Sequence, residues 1–453
     1  MRSLHIFRAY DIRGVIGIDI DTVNMTRIGR SLGIYLRSKL NTNRIIIGRD
    51  IRKTSSMLSL ATISGLLEMG IDVYDIGVLP VGVLLRKLLT VRDTVGAYIT
   101  ASHLPPEYNG LKLIHGSGVY FSSDEIAEIK EIYTRDHAPR SWKEVGKYWI
   151  ITGEIENYIN SLVAEFSDLK SIGIVLDCGN GATCLTAPRI FKSITSRTIE
   201  LNCNIDPYFR GRGPEPIPSN IVELMHMVKS KSMDYGVAYD GDGDRAIFVD
   251  YRGEFLPPEE VAIILVEGLG LRGSIVASID CSKILEDYAE SKGLKVYRSR
   301  VGHNFVIEKM IECNAIIGVE RSGHIALSSY QYVDDGVLIS LLLGRAILNT
   351  GREYVSLIES NYCMKSTKLR VKEELKSKIM NYLRRRIESM EEGTITLIDG
   401  IRLDLEDGWI LIRPSNTEPV IRVTVEARDS TKLDKYFVRY VEMCRDTIRS
   451  LSK

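Results

Sequence analysis

The run Asp240-Gly241-Asp242-Gly243-Asp244-Arg245 sets three carboxylates at alternate positions with only glycine between them. Such side chains can turn onto one point only where the backbone bends freely, and glycine permits that. Three anions packed together repel unless a hard cation lies among them, and oxygen ligands suit Mg²⁺ or Ca²⁺. An EF-hand calcium loop is excluded: it needs glycine at its sixth position and glutamate at its twelfth, where this chain has Arg245 and Tyr251. An arginine directly after three carboxylates is easier to explain if an anion also binds, which points to a phosphate. The bland alternative for this stretch alone is a solvated acidic turn.

Three further polar stretches carry chemistry. Thr100-Ala101-Ser102-His103 pairs a nucleophile with an imidazole, but Thr100 and Leu104 stand where a hydrolase elbow needs glycine. His103 alone reads as a loop histidine. Gly318-Val319-Glu320-Arg321-Ser322-Gly323-His324 offers groups that could hydrogen-bond a polyol such as a sugar. Arg413-Pro414-Ser415-Asn416-Thr417-Glu418-Pro419 suits a phosphate cradle, with a bidentate arginine fork, two hydroxyls and an amide between stiffening prolines.

These stretches need elements to hold them. Asp234–Tyr239 and Ala246–Asp250 read as strands flanking the aspartate loop, and Val95–Thr100 as the strand that delivers Ser102. Before them, Asp21–Leu40 and Ser55–Met69 read as helices, and Arg44–Asp50 and Asp72–Ile76 as strands. Ser122 or Ser123 can cap a helix running to about Thr134. Ile172–Leu176 is a buried strand leading to Asp177-Cys178-Gly179-Asn180-Gly181-Ala182 and a helix. The third glycine of a dinucleotide fingerprint would fall at Cys184, so a tight strand-to-helix connection is preferred. Ser274–Ile279 is a strand and Ser282–Ser291 a helix.

The strands RIIIGRD, GIVLDCG and SIVASIDCS end on Asp50, Asp177 and Asp280, more than a hundred residues apart, which suggests successive related domains. From about residue 368 the pattern changes to a charged helix (Val371–Met390), then the strands Thr394–Ile398, Ile401–Leu405, Trp409–Ile412 and Val420–Glu426. Turns fall at Asp399-Gly400 and Asp407-Gly408, and an amphipathic helix follows the strands. The boundaries expected are 1–149, 150–256, 257–367 and 368–453.

At 453 residues the chain is long enough for several domains. Lys plus Arg and Asp plus Glu are both 59, giving zero net charge and no global electrostatic case for nucleic acid or an acidic membrane. The greasiest run, Val337–Leu348, falls short of the roughly 18 residues of a membrane span and reads as a buried helix. The N-terminal residues lack the apolar core of a signal peptide. Seven cysteines without CxxC spacing suit reduced thiols. A soluble, cytoplasmic protein is expected.

Taken together, TASH, DGDGDR, GVERSGH and RPSNTEP in this order, after the N-terminal FRAYDIRG, closely resemble the α-D-phosphohexomutase superfamily, and within it the phosphomannomutase/phosphoglucomutase group. The resemblance extends over the whole chain. It implies three similar α/β domains with mixed sheets and a C-terminal α+β domain around a central cleft. It also implies interconversion of hexose 1-phosphate and hexose 6-phosphate, of mannose and glucose, through a phosphoserine and a hexose 1,6-bisphosphate that also serves as activator. Ser102 resembles the phosphoryl-carrying serine, and its oxygen would join Asp240, Asp242 and Asp244 in holding Mg²⁺. Lys112 and His324 match positions linked to acid/base work, and Arg245 would face the transferred group. Glu320 and Ser322 resemble sugar-reading residues, while Tyr10, Arg13 and His303 match cleft positions near the substrate. Arg413, Ser415, Asn416 and Thr417 resemble those that hold the non-reacting phosphate.

The expected partner is a small phosphosugar, with no nucleic acid and no membrane; the oligomeric state is not readable. Leu104 departs from the usual asparagine of TASHNP, and Val81-Gly82 from a proline-rich turn, so altered loop packing is expected there. The superfamily's glucosamine branch usually has glycine where Asn416 stands, which favours mannose and glucose over the alternative, a phosphoglucosamine mutase. A metal-dependent sugar phosphatase and a non-catalytic sugar-phosphate sensor are the rival classes.

Overall fold

The computed structural model describes residues 4–358, 361–415 and 419–451. Packing groups the chain into two compact units, Met1–Leu271 with Ser322–Tyr354, and Arg272–Arg321 with Val355–Lys453.

The first unit begins with a six-stranded sheet in the spatial order Asp11–Val15, Tyr108–His115, Val95–Ile99, Arg44–Arg49, Asp72–Val78, Tyr148–Ile150. Arg44–Arg49 runs parallel to Asp72–Val78 and to Val95–Ile99, and Tyr108–His115 returns antiparallel. The continuous apolar run of Arg44–Arg49 and the fully buried Val95–Ile99 are what central strands covered on both faces require. The helix Thr22–Ser38 turns Met25, Ile28, Leu32 and Leu36 inward, as their spacing predicts. Ser122 caps Ser123–Tyr133 through a full capping box with Glu125.

A second sheet repeats the pattern. Tyr235–Tyr239 and Arg197–Leu201 run parallel to Gly173–Asp177, and Ala246–Asp250 returns antiparallel from Tyr235–Tyr239. The hairpin that carries Ser102 and the hairpin that carries the aspartates therefore occupy the same place in two related sheets. This is the structural content of the weak sequence repeat.

In the second unit, Ile275–Ser278 lies parallel to Val296–Ser299 and to Ile317–Val319, and Glu320 follows directly from the last of these. The C-terminal sheet is antiparallel throughout, in the order Cys363–Arg370, Val420–Ala427, Gly408–Pro414, Ile401–Leu405, Thr394–Thr396. The helices Lys376–Glu388 and Ser430–Leu451 contribute to the core of that domain through Ile379, Leu383, Leu433, Tyr440 and Cys444. The architecture is thus α/β, three related α/β domains with mixed sheets followed by an α+β domain.

Several sequence expectations need correction. Tyr108–His115 and Asp11–Val15 are strands that the sequence reading did not assign. The charged helix starts at Lys376 rather than Val371, because the Val371 N–H bonds Pro419 O and a 3₁₀ turn spans Glu373–Leu375. After the Asp177 turn the chain first forms a 3₁₀ turn, and the α-helix begins only at Ala187. Leu405 pairs with Gly408, so the connecting turn is Glu406-Asp407 rather than Asp407-Gly408. Gly336–Thr350 is a buried helix, and among the described residues no helix is long and apolar enough to cross a membrane.

Candidate active site

Ser102 follows the strand Val95–Ile99 in a left-handed backbone conformation, with φ of 51°. A serine rarely adopts that region, so the surroundings must hold it there. Its N–H bonds Thr100 Oγ1 at 2.9 Å, and its carbonyl accepts from Arg52 Nη2 at 2.7 Å. Arg52 is buried and also donates to the carbonyls of Leu104, Pro105 and Tyr108 and to Asp50. Its guanidinium lies over the Phe209 ring, 4.9 Å from the centroid. One rigid fork thereby fixes three carbonyls of the serine loop and the first carbonyl of the strand after it. The Ser102 hydroxyl donates to Asp240 Oδ2 at 2.7 Å, with Arg245 Nη2 at 3.4 Å and His103 Nδ1 at 3.3 Å.

The aspartate loop closes the hairpin between Tyr235–Tyr239 and Ala246–Asp250. Two of its glycines are dictated by close approach. A Cβ at Gly241 would lie 2.5 Å from Ser102 O, and one at Gly243, where φ is +83°, would lie 2.4 Å from Thr183 Cγ2. The Gly243 and Arg245 N–H groups both point at Asp240 Oδ1. Helix N-termini receive the loop's carbonyls: Val81 N–H bonds Asp242 O at 3.1 Å, and Gly336 N–H bonds Gly243 O at 3.0 Å. Val81 and Gly82 thus open a helix against the aspartate loop.

All three carboxylates are buried. Lys112, on the strand Tyr108–His115, bridges Asp242 Oδ2 at 2.9 Å and Asp244 Oδ2. Arg245 Nε lies 3.2 Å from Asp240 Oδ2. Three carboxylates facing two cations leave one negative charge over. Burial, with Asp244 and Asp242 adding to it, pushes Asp240 up to about 7. Burial also opposes ionisation of Asp242, but Lys112 and Thr100 outweigh it and hold that carboxyl below the usual range. Lys112 loses to burial and gains more from Asp242 and Asp244, so it stays protonated well above its ordinary range. Burial, then Arg245 and Arg13, depress His103 and keep its ring neutral.

The residues fit a hard divalent cation. Asp242 Oδ1 and Asp244 Oδ1 are buried with no hydrogen-bond partner, and the three carboxylates each offer an oxygen within 4.8 Å of the others. An acidic turn in solvent would not bury those oxygens.

The same unit holds other expected residues. Arg13 pairs with Asp11, 2.5 Å away, on the strand beside Lys112, and Tyr10 immediately precedes that strand. His324 Nδ1 lies 3.0 Å from the buried Asp334 Oδ2. Two residues after Asp334, the Gly336 N–H bonds Gly243 O, which brings the His324–Asp334 pair near the cage. Ser322 is half-buried.

In the second unit, His303 opens the helix His303–Cys313, and ligand atoms of His303 and the buried Glu320 lie within 4.8 Å. Arg413 Nη1 stands 3.4 Å from Asp399 Oδ2, which also accepts the Val301 N–H, so the arginine and the His303 turn share one anchor. Lys376 Nζ bonds Ser415 O at 2.7 Å. Asn416 and Thr417 lie outside the described residues.

Sequence reasoning missed Arg52 and Thr100 as positioning residues and set His103 aside. The available signal was Asp50-x-Arg52 at the end of a buried strand, where Asp50 Oδ1 accepts the Arg52 N–H and closes the turn.

Known proteins resemble this chain along its length. Family models described as phosphoglucomutase/phosphomannomutase alpha/beta/alpha domains I, II and III match residues 4–140, 156–253 and 257–363, and that of the C-terminal domain matches 367–443. A probable phosphoglucosamine mutase of Methanopyrus kandleri is 32% identical, covering 98% of this chain and 99% of the relative. A phosphoglucomutase/phosphomannomutase of Thermococcus kodakarensis is 30% identical with the same coverage. The crystal structure of a phosphoglucomutase/phosphomannomutase family protein from Burkholderia thailandensis superposes with a TM-score of 0.85 at 27% identity, covering 98% of both chains. With all four domain models matched in order, the chain belongs to the phosphoglucomutase/phosphomannomutase family of the α-D-phosphohexomutase superfamily.

Proposed function

We propose that this protein interconverts hexose 1-phosphates and hexose 6-phosphates through a phosphorylated Ser102. The observation that carries this reading is the Ser102 hydroxyl, held in a left-handed turn and bonded to Asp240 within a buried three-carboxylate cage. Asp240, Asp242 and Asp244, with the Ser102 oxygen, would hold Mg²⁺, which when bound neutralises charge on the oxygens of the transferring group.

The chain's own residues do the rest. Arg245 faces the Ser102 oxygen and would neutralise the phosphoryl group that sits on it. In the first transfer a sugar hydroxyl oxygen bonds to phosphorus as the Ser102 Oγ–P bond breaks. The hydroxyl proton needs an acceptor and Oγ a donor. Lys112, bound to Asp242 and Asp244, is assigned the donor. His324, whose Nδ1 lies 3.0 Å from Asp334 Oδ2, is assigned the acceptor. The resulting hexose 1,6-bisphosphate turns end over end and returns its other phosphate to Ser102, and the same compound primes an unphosphorylated enzyme. Glu320, Ser322, His303, Tyr10 and Arg13 are assigned to the sugar, and Arg413, Ser415, Asn416 and Thr417 to the non-reacting phosphate. The four expected domains and a cytoplasmic location, without nucleic-acid or membrane partners, complete the proposal.

Mannose and glucose phosphates are the substrates of the first reading, which rests on Asn416. Glucosamine phosphate is the second, favoured by the naming of the relatives from Methanopyrus kandleri and Methanocaldococcus jannaschii as phosphoglucosamine mutases. Kinetics on the three sugar 1-phosphates, with a hexose 1,6-bisphosphate as activator, separate them. The first reading expects glucose and mannose within about a hundredfold in kcat/KM. A preference for glucosamine phosphate beyond that range selects the second. Inorganic phosphate as the main product would overturn both in favour of a phosphatase.

A further inference from the structure

The loop that supports the aspartate turn from below carries a cluster of sulfurs. Cys178 follows the buried strand Gly173–Asp177, and Cys203 lies two residues beyond its parallel neighbour Arg197–Leu201. Their Sγ atoms are 3.0 Å apart. Cys184 approaches from the following 3₁₀ turn, its Sγ 3.6 Å from the carbonyl of Asn202, the residue before Cys203. Cys178 is buried, whereas Cys184 and Cys203 are partly exposed.

The two chain segments are already fixed against each other. Cys178 N–H bonds Leu201 O at 3.2 Å, Asn180 N–H bonds Asn202 O at 2.8 Å, and Asn202 Nδ2 bonds Asp177 Oδ1 at 3.1 Å. A covalent link here would join segments that backbone bonds hold in place, so little ordering remains to oppose it.

We propose that Cys178 and Cys203 are a disulfide-forming pair, oxidised by a peroxide and reversed by a dithiol. The partly exposed Cys203 sulfur attacks one peroxide oxygen; an S–O bond forms, the O–O bond breaks, and hydroxide leaves with the thiol proton as water. The Cys178 sulfur then attacks the Cys203 sulfur; the S–S bond forms, the S–O bond breaks, and the departing hydroxide takes the Cys178 proton as a second water. Two thiols and one hydrogen peroxide thus give one disulfide and two waters. Cys184, against the carbonyl before Cys203, is the exchange partner through which a dithiol can reopen the bond.

The link would tighten the support of the metal loop. Three residues past Gly179 the same segment reaches Gly241, with Ala182 N–H bonded to Gly241 O at 3.0 Å. The proposal stands on these thiols alone and does not depend on the mutase reading.

The test uses the full chain, treated with hydrogen peroxide or with dithiothreitol, then alkylated under denaturing conditions and weighed intact. After peroxide, two of the seven cysteines should resist alkylation, the protein should be two hydrogens lighter, and a peptide joining Cys178 to Cys203 should be recovered. Dithiothreitol should reverse all three changes, and the oxidised protein should melt several degrees higher. Cys203→Ser should abolish the link, while Cys363→Ser should leave it. Seven alkylatable thiols after peroxide, or a linked peptide that joins another pair, would overturn the proposal.

Discussion

The serine and aspartate hairpins of the first unit differ in kind from the arginine loop of the second. In the hairpins two carboxylate oxygens are the buried side-chain polar atoms left without a partner, glycines are forced by contacts under 3 Å, and Ser102 is held in a backbone region serine avoids. In the second unit, Arg413 is partly exposed and stands 3.4 Å from Asp399 Oδ2. A group that forms and breaks bonds to phosphorus must be held to fractions of an ångström, because misplacement by about 1 Å costs on the order of a hundredfold in rate. A group that binds a phosphate which does not react, first from one end of the sugar and then from the other, gains from latitude.

The sharpest way to break this contrast is Ser102→Ala. It should lower turnover by more than about a thousandfold, since the nucleophile itself is gone, with an unchanged melting temperature. Near-normal turnover would remove the hairpin from the chemistry. Next, Asp242→Asn should weaken Mg²⁺ binding and cut kcat by at least about a hundredfold, and EDTA should silence the wild type reversibly. Full activity after EDTA would refute the cation assignment.

Arg52→Ala tests rigidity apart from chemistry, because Arg52 donates only to the loop's carbonyls and to Asp50. It should lower kcat by about a hundredfold with KM nearly unchanged, and Arg52→Lys should restore little, because one ammonium cannot replace the fork. A KM effect alone would show that the serine loop does not need that frame. The smallest effect belongs to the looser region: Arg413→Ala should reduce kcat/KM by about tenfold, mostly through KM, as lost binding to a remote phosphate does. A kcat loss equal to that of Arg52→Ala would erase the distinction between the two regions.

How much of this was legible in the sequence follows the same division. The aspartate loop, its flanking strands and the alternation of helix and strand could be read because their cues are local: carboxylates at alternate positions, short apolar runs, a capping serine. The strand that carries Lys112 was not legible, because Asn109-Gly110 reads locally as a turn. Two neighbouring strands, Asp11–Val15 and Val95–Ile99, override that preference by pairing with it on both sides. Arg52 was hidden for a related reason. Its carbonyl partners Ser102, Leu104, Pro105 and Tyr108 lie fifty or more residues along, and the local Asp50-x-Arg52 pair marks a turn without showing which distant loop the guanidinium holds. The orphaned oxygens of Asp242 and Asp244, which carry the cation argument, exist only once Lys112 and Thr100 have occupied the opposite oxygens.

The central claim is that Ser102 carries the phosphoryl group, and one measurement reaches it directly. Purified protein is incubated with Mg²⁺ and hexose 1,6-bisphosphate labelled with radioactive phosphorus, quenched, digested and mapped. The account predicts one labelled site, Ser102, whose label passes to unlabelled hexose monophosphate when that is added before the quench. Turnover with no label on the chain, or with label on another residue, would contradict it.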